Sequence, residues 1–473
     1  MENASVQAVV LAAGSSSRFK TSRTKLCFSV CGQELIAYPV KLLAALHIPV
    51  TCVVGFQKEL VIEALTRHRI SNLSFVEQIE PRGTGHALAC ASSHFSAEHI
   101  LVMNGDMPLL TAEIIESLVT EHLRADAAAS FVISQSADPS ADSYGRIVRQ
   151  DGTFQIIEAR EYDGNRDNHP FVNAGIYLFK TSFLNQFLKL IEPSSRTGEF
   201  YLTELIRLAS SHGEKIVTSV APFDSVRGIN TLRELWAAEH IKRSDLITHW
   251  MDQGVRFVTA QNIYLDCTTI IGPDTVIAPG CILVQGTTIG SGCYLGAYSY
   301  LSNSIVHDNA IIHPHSVITD STILSGAQIG PFAQIKSSSV GEQATVGNFV
   351  EMNRSKIGTA SKAKHLSYVG DALIGDEVNV GAGTITCNYD GVNKHKCFIG
   401  NQSFIGCNTA LVAPVNIGEG AITGAGSVIT DDVPANALAI GRSRQVTKED
   451  YAPQLRARLL KEKGGAAPTT SAS

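Results

Sequence analysis

Three groups of residues have types and spacings that could do chemistry. Gln7 to Leu11 (QAVVL) is a short all-apolar run that ends in AAGSSSRF, a small-residue turn followed by Arg18 and Lys25. A strand giving way to a Gly/Ser-rich turn can lay backbone N–H groups against phosphates, with Arg and Lys offsetting their charge. Many strand-to-helix turns are equally small and polar without any ligand. Further on, ILVM runs into Asn104, Gly105 and Asp106, then Met-Pro. An aspartate ending a buried strand can hold Mg2+ between phosphates, or it can cap the next helix, TAEIIESL. The third group is residues 361–396, SKAKHLSYVGDALIGDEVNVGAGTITCNYDGVNKHK, which packs His365, two tyrosines, several asparagines and four lysines among glycines. A packed core has no use for that mixture.

The elements that must position these groups differ between the two halves. A chain of 473 residues is too long for one core, so two or three domains are expected. In the first half IPVTCVVGF, LSFVEQ and HILVMNGDMPLL read as strands, and KELVIEALTRH and HALACASSHF as helices. This alternation predicts a doubly wound, mostly parallel sheet with its site at the strand C-terminal ends. The turn QIEPRGTGHA (78–87) and the Asn104–Asp106 group both fall there. YGRI (144–147), Glu158 and VNAGIY (172–177) punctuate later strands, and GINTLREL (228–235) sets Asn230 at a helix start, where N-capping is the plain role. TLRELWAAEHIKRSDLITHWM reads as a linker helix whose aromatic face, with both tryptophans, packs on one or both domains, and Gly254 ends it.

From about residue 255 the period becomes six: IIGPDT, VIAPGC, TIGSGC, QIGPFA, LIGDEV and NIGEGA repeat an aliphatic residue, often Gly, and a small residue. Six fits neither a helix nor an alternating strand. It matches hexapeptide β-helix repeats, in which about three hexapeptides make a triangular coil and aliphatic side chains stack inside. Such a solenoid needs no chemistry and could serve as a spacer or oligomerising module. Its two breaks, GNFVEMNRSKIG and TCNYDGVNKHK (386–396), carry polar residues that add nothing to a stacked core.

The bulk numbers set limits. Apolar content of 44% with 17% charged residues describes a soluble globular protein, and a net charge of −6 offers no basic field for nucleic acid. No apolar run approaches the roughly 18 residues that span a bilayer. MENASVQAVVLAAG lacks a basic n-region, so no signal peptide is expected. The ten cysteines are scattered, and Cys387, Cys397 and Cys407 follow the repeat rather than a zinc pattern, which predicts reduced thiols in a cytoplasmic protein. GGAAPTTSAS is expected to be a disordered tail.

Taken in order, LAAG, Arg18, Lys25, GTGHA, GDMPL, YGRI, Glu158, VNAGIY and GIN resemble the sugar-1-phosphate nucleotidyltransferases, most closely the uridyltransferase half of the bifunctional N-acetylglucosamine-1-phosphate uridyltransferases. The stretch from Gly347 to Lys394, with LVAP at 411–414, is similar to the acetyltransferase half of the same enzymes. The resemblance implies that Leu11, Ala12, Ala13, Gly14, Arg18 and Lys25 line the UTP site. It places Gln78, Gly83 and Thr84 on uracil, Asn104 and Gly105 beside them, and Gly145, Glu158 and Asn173 on the N-acetylglucosamine moiety. Asp106 and Asn230 would hold Mg2+. In the second half it implies His365 as general base toward the amine of glucosamine-1-phosphate, since an ammonium cannot attack a thioester. Glu351 would orient that base. Lys336, Asn353, Tyr368, Asn379 and Lys394 would bind the sugar phosphate. Asn388, Tyr389, Ala382, Cys407, Ala425 and Arg442 would meet acetyl-CoA. A homotrimer with sites between subunits is the implied assembly. The implied domains are a uridyltransferase at 1–227, a linker helix at 228–252, an acetyltransferase β-helix at 253–449, and a helix fragment and tail at 450–473.

Several positions depart from that pattern. GSSSRF stands where GxGTRM is usual, Asn104 where an aromatic residue often precedes Gly-Asp, and Cys407 where many relatives carry Ser. Lys336 replaces a usual Arg and Asn353 a usual Lys, which removes a bidentate fork and a charge from the phosphate contacts; Arg354 stands next door to compensate. Two alternatives follow: a uridyltransferase that keeps the β-helix only to trimerise, or an ADP- or GDP-sugar pyrophosphorylase.

Overall fold

A computed structural model of the chain describes residues 5–150, 153–164 and 169–464; past Gly464 the expected tail lies outside them. Residues 1–303 and 304–473 form two compact units.

The first unit is built on a parallel sheet with one reversed strand. Its strands are β1 (Val6–Ala12), β2 (Val50–Val54), β3 (Leu73–Glu77), β4 (His99–Asn104), β5 (Ala129–Gln135), β6 (Arg146–Gln150), β7 (Thr153–Ile157), β8 (Phe171–Lys180) and β9 (Ile216–Val220). The order is β9-β5-β8-β4-β1-β2-β3, with β6 and β7 a hairpin off β8. Within the seven-strand order only β8 runs against its neighbours, β4 and β5, and the β6–β7 hairpin adds further antiparallel pairs. Successive residues of β1 feed opposite cores: Ala8, Val10 and Ala12 join one, Val9 and Ala13 the other. Both faces are therefore dry, which is why QAVVL is continuously apolar rather than alternating. The first core is closed by α1 (Ala37–Ala45), α2 (Lys58–Thr66) and α4 (Ala112–Ala125), and the second by α3 (Thr84–Cys90), α5 (Thr181–Phe187) and α6 (Glu204–Ser211).

The linker helix, α7, spans Leu232–Asp252. Thr231 caps it, its hydroxyl accepting from Glu234 N at 3.2 Å, and Gly254, at φ +87°, follows its end. The aromatic face packs only in part: Trp236 is 64% exposed, whereas Trp250 is half-buried. Leu235, Ala238 and Ile241 pack instead, against Val30, Cys31 and Leu35 of a small hairpin. The first β-helix turns belong to this unit, with Val276 opposite Tyr294, 18 positions on.

In the second unit the strands stack strictly in parallel. Gln328, Thr345, Lys362 and Asn379 follow one another at 17 positions per coil, and the next rung, Asn379 to Phe404, takes 25. Ile312, Ile329, Val346, Ala363 and Val380 form one buried aliphatic column. At one corner Ser321, Ser338 and Ser355 are buried yet satisfied. Each hydroxyl accepts the backbone N–H one coil further on, at 3.0 Å for Ser338 N and Ser355 N and 2.9 Å for Ala372 N. Other corners hold non-glycine residues in the left-handed region, among them Phe332, Phe349 and Leu366. The fold class is the expected one: a doubly wound α/β domain, a connecting helix, and a left-handed parallel β-helix of hexapeptide repeats. An exposed helix, α8 (Tyr451–Gly464), closes the described chain.

One buried polar chain in the first unit makes a prediction about acid stability. His122 is fully buried, with Nδ1 2.7 Å from Ser130 Oγ and Nε2 3.1 Å from His99 Nδ1. Burial, reinforced by His99 and Lys180, pushes His122 down to about 4, and burial lowers His99 as well. Below the ordinary histidine range near 6.5 the unfolded chain takes up protons that the folded chain refuses, so stability falls as pH drops from about 6.5 toward 4. For His122 the loss should approach about 2–3 kcal/mol. Urea unfolding followed by the tryptophans of α7 should show the parent losing more stability than His122→Gln between pH 7.5 and 4.5; equal losses would refute this.

Candidate active sites

In the first unit the strand ends converge on a cavity of about 590 Å³. Leu11, Ala12, Ala13 and Gly14 enter it at the C-terminal end of β1, Gln78, Gly83 and Thr84 after β3, and Asn104 and Asp106 at the C-terminal end of β4. Arg18, Lys25, Gly145, Glu158, Asn173 and Asn230 complete the expected set on its wall. Gly105 is the exception. It backs the site, its N–H bonded to Leu11 O at 2.9 Å, and a Cβ there would strike Ile36 at 2.4 Å.

At one end of the cavity four side chains form a charged knot. Asp106, 7% exposed, is bonded through Oδ2 to the Lys25 ammonium, while its Oδ1 is buried without any hydrogen-bond partner. Lys25 Nζ also donates to Asn230 Oδ1 at 3.1 Å, and Arg18 Nη2 reaches the same oxygen at 2.7 Å. Neither Asp106 nor Asn230 caps a helix. Thr111 stands at the cap position of α4 and Thr231 at that of α7, while the N–H of Asn230 donates to Glu234 at 2.6 Å. Asp106 and Asn230 thus line the cavity without serving as helix caps.

At the other end Glu158 is half-buried, and partial desolvation raises its carboxyl against the lowering effect of a bond from Thr203 Oγ1 at 2.8 Å. Asn173 Nδ2 bonds the buried Tyr177 hydroxyl. Sequence reasoning missed Thr203, Tyr201 and Tyr144. Thr203 directly precedes α6 and reads only as a helix start, and Tyr144 earns its place through tertiary contact, accepting Gly228 N at 2.6 Å.

In the second unit the expected residues lie on outward rungs. His365 ends the strand Lys362–His365, is exposed, and pairs in register with Asn348 one coil back. Glu351 and Tyr368 are rung partners, as are Lys336 and Asn353, and Asn379 sits opposite Lys362. Ala382, Cys407 and Ala425 climb one corner, joined by backbone bonds of 2.7 Å from Asn408 N to Ala382 O and from Gly426 N to Cys407 O, and Arg442 Cδ lies 3.7 Å from where a Cβ on Gly426 would stand. Asn388 is buried, its amide donating to Asp371, while Tyr389 and Lys394 form an isolated bridge across the exposed 386–396 loop.

Comparison with known proteins bears on both units. A MobA-like NTP transferase domain matches residues 8–215, and a GMPPB C-terminal domain matches residues 265–357. A bifunctional protein GlmU from Exiguobacterium sibiricum is 41% identical, covering 94% of this chain and 99% of its own. Those of Geobacillus thermodenitrificans and Koribacter versatilis are 40% and 36% identical, over 95% and 96% of this chain and 98% of each relative. The chain belongs to the bifunctional GlmU family. Against the GlmU pattern, two of the departures acquire a physical account. Ser16 sits at φ +58°, where glycine would be at ease, and its hydroxyl accepts Lys25 N at 3.0 Å, so a hydrogen bond offsets strain of about 1 kcal/mol. Arg354 is not free to replace the charge missing at Asn353. Its guanidinium forks onto Asp371 at 2.8 and 2.7 Å and its third nitrogen donates to Asn353 Oδ1 at 2.9 Å.

Two glycines of the same cavity should respond differently to a methyl group. Gly83 lies at φ +110°, and a Cβ would stand 2.6 and 2.8 Å from Phe200 O and N. Gly14 has nothing within 4 Å of its Cβ position. Gly83→Ala should lose roughly 2–3 kcal/mol in urea unfolding, and Gly14→Ala under about 0.5 kcal/mol; similar losses would show that the Phe200 backbone yields.

Proposed function

We propose that the chain makes UDP-N-acetylglucosamine in two steps, acetylating glucosamine-1-phosphate within residues 253–449 and uridylylating the product within residues 1–227. The reading rests above all on one observation: the strand ends of the first unit gather the expected nucleotide and sugar residues around one cavity. In uridylyl transfer a phosphate oxygen of N-acetylglucosamine-1-phosphate attacks the α-phosphorus of UTP in line, forming one P–O bond as the bond to pyrophosphate breaks. Arg18 and Lys25 hold phosphate oxygens, Gln78 and Thr84 the base, and Glu158 and Asn173 the acetamido sugar, so positioning and charge carry the rate. Asp106 and Asn230 suit Mg2+. The unpartnered Asp106 Oδ1 is what a hard cation lacks on the protein side, and two oxygen ligands with phosphates and water complete such a shell. When bound, the ion would offset charge on the transferring phosphates.

In acetyl transfer the ammonium first sheds one proton to solvent, and His365 takes the second as the amine nitrogen attacks the thioester carbonyl and the C–S bond breaks with formation of the C–N bond. The proton then passes to the CoA sulfur. Lys336, Asn353, Tyr368, Asn379 and Lys394 hold the sugar phosphate; Asn388, Tyr389 and the Ala382, Cys407, Ala425 and Arg442 column face acetyl-CoA. His365, Tyr389 (60% exposed) and Val392 (83% exposed) present this machinery to solvent rather than to a cavity. A homotrimer, whose neighbour supplies the missing wall, fits that exposure. No helix among the described residues is long and apolar enough to cross a membrane, and the net charge of −6 gives nucleic acid nothing to bind. We place the enzyme in the cytoplasm.

His365→Ala should lower acetyl transfer by about 10²–10⁴ and leave uridylyl transfer nearly unchanged, and Asp106→Ala should do the reverse. Measuring CoA thiol release and pyrophosphate release separately decides this, because equal loss of both in either variant contradicts two independent sites. Asn353→Lys should restore one charged contact and lower the KM for glucosamine-1-phosphate by roughly tenfold. An unchanged KM would place the phosphate elsewhere.

A further inference from the structure

Lys25 is paired within the protein itself. Its ammonium is bonded to Asp106 Oδ2 and donates to Asn230 Oδ1 at 3.1 Å, and its side chain is 16% exposed. Arg18 occupies the same Asn230 oxygen at 2.7 Å. The two residues suited to a divalent cation are therefore already matched with two of the protein's own cations. Asp106 Oδ1 stays buried and unpartnered.

We propose that Lys25 is a resident counter-ion that occupies the divalent-cation site and leaves it only for a nucleotide phosphate, so that metal and nucleotide enter together. An ammonium and a divalent ion on one carboxylate, a few ångströms apart and largely shut from water, repel strongly. Lys25 cannot simply withdraw, because a buried Asp106 stripped of its partner would be an uncompensated charge. A phosphate resolves both problems at once. It draws the ammonium away on its flexible stem and brings the metal that takes its place. The consequence is a coupling that runs both ways: nucleotide raises metal affinity, and metal raises nucleotide affinity. The free enzyme then takes up little divalent cation. The proposal rests on the uridylyl-transfer reading only in naming a phosphate as the second partner of Lys25.

The test is binding of Mn2+ alone to the full chain without nucleotide, read from the EPR signal of the free ion. Lys25→Met should bind Mn2+ at least about tenfold more tightly than the parent. The gain should vanish in Lys25→Met with Asp106→Asn. Lys25→Met should also melt lower than the parent and recover its midpoint on adding Mn2+, a rescue the parent does not show. If the methionine variant does not fold, Lys25→Gln, which keeps a donor beside Asp106, should show the same gain. Equal Mn2+ affinity in parent and variant, or a gain that survives Asp106→Asn, overturns the proposal. Pyrophosphate release by the parent with Mg2+ tests the functional reading separately, since turnover together with equal affinities removes the counter-ion role alone.

Discussion

Parallel pairing is the constraint from which both halves of this chain follow. A strand laid parallel to its neighbour must be re-entered from its starting end, so something has to carry the chain back. In the first unit helices do this, and they bury both faces of the sheet; polar side chains can then survive only where strands emerge. The turns after β1, β3 and β4 lie at one edge for that reason, and Arg18, Gln78 and Asp106 meet there although up to 88 positions separate them. In the β-helix the other two faces of each coil carry the chain back. The interior becomes a column of aliphatics such as Ile329, Val346 and Ala363, and polar groups are confined to outward rungs and corners. One constraint thus yields a cavity in one unit and outward polar rungs in the other.

What the sequence could say was set by whether a residue's job is local. The six-residue period was legible because each repeat serves its own coil, and the apolar QAVVL because both faces of β1 are buried. Asp106 and Asn230 were ambiguous, since capping a helix and holding a cation use the same oxygens. Only the positions of Thr111 and Thr231 at the caps separate the two roles. Thr203 was illegible, because its use depends on the half-buried Glu158, 45 positions away, lying beside it. Trp236 misled: ring size argued for packing, but the face of α7 that meets the hairpin is the one carrying Leu235, Ala238 and Ile241.

Arg354 shows how corner geometry overrides sequence adjacency. It follows Asn353 directly, yet it lies at φ +50° and its guanidinium forks onto Asp371, one coil further on and itself at φ +49°. In a solenoid the natural neighbour of a corner residue is 17 positions away rather than one. Asp371 in turn takes the Asn388 amide, so Arg354 fixes the root of the 386–396 loop instead of extending the phosphate contacts.

That loop accounts for the mixture of residues that first distinguished residues 361–396. The coil containing it takes 25 positions where its predecessor takes 17, and the extra residues have no stacked neighbour to pair with. They must satisfy their own backbone. Asp390 does so, its Oδ1 accepting Val392 N at 2.8 Å and Asn393 N at 2.6 Å, while Oδ2 bonds His395 at 2.7 Å. The Asn393 N–H and then His395 hold its carboxyl well below the usual carboxylate range. His395 N closes the loop on Asn388 O at 2.8 Å. So part of the polar content, Asn388, Asp390 and His395, is committed to holding the excursion rigid. His365 remains outward at the end of its own strand, and the loop can present Tyr389 and Lys394 without a core beneath them because its own hydrogen bonds replace one.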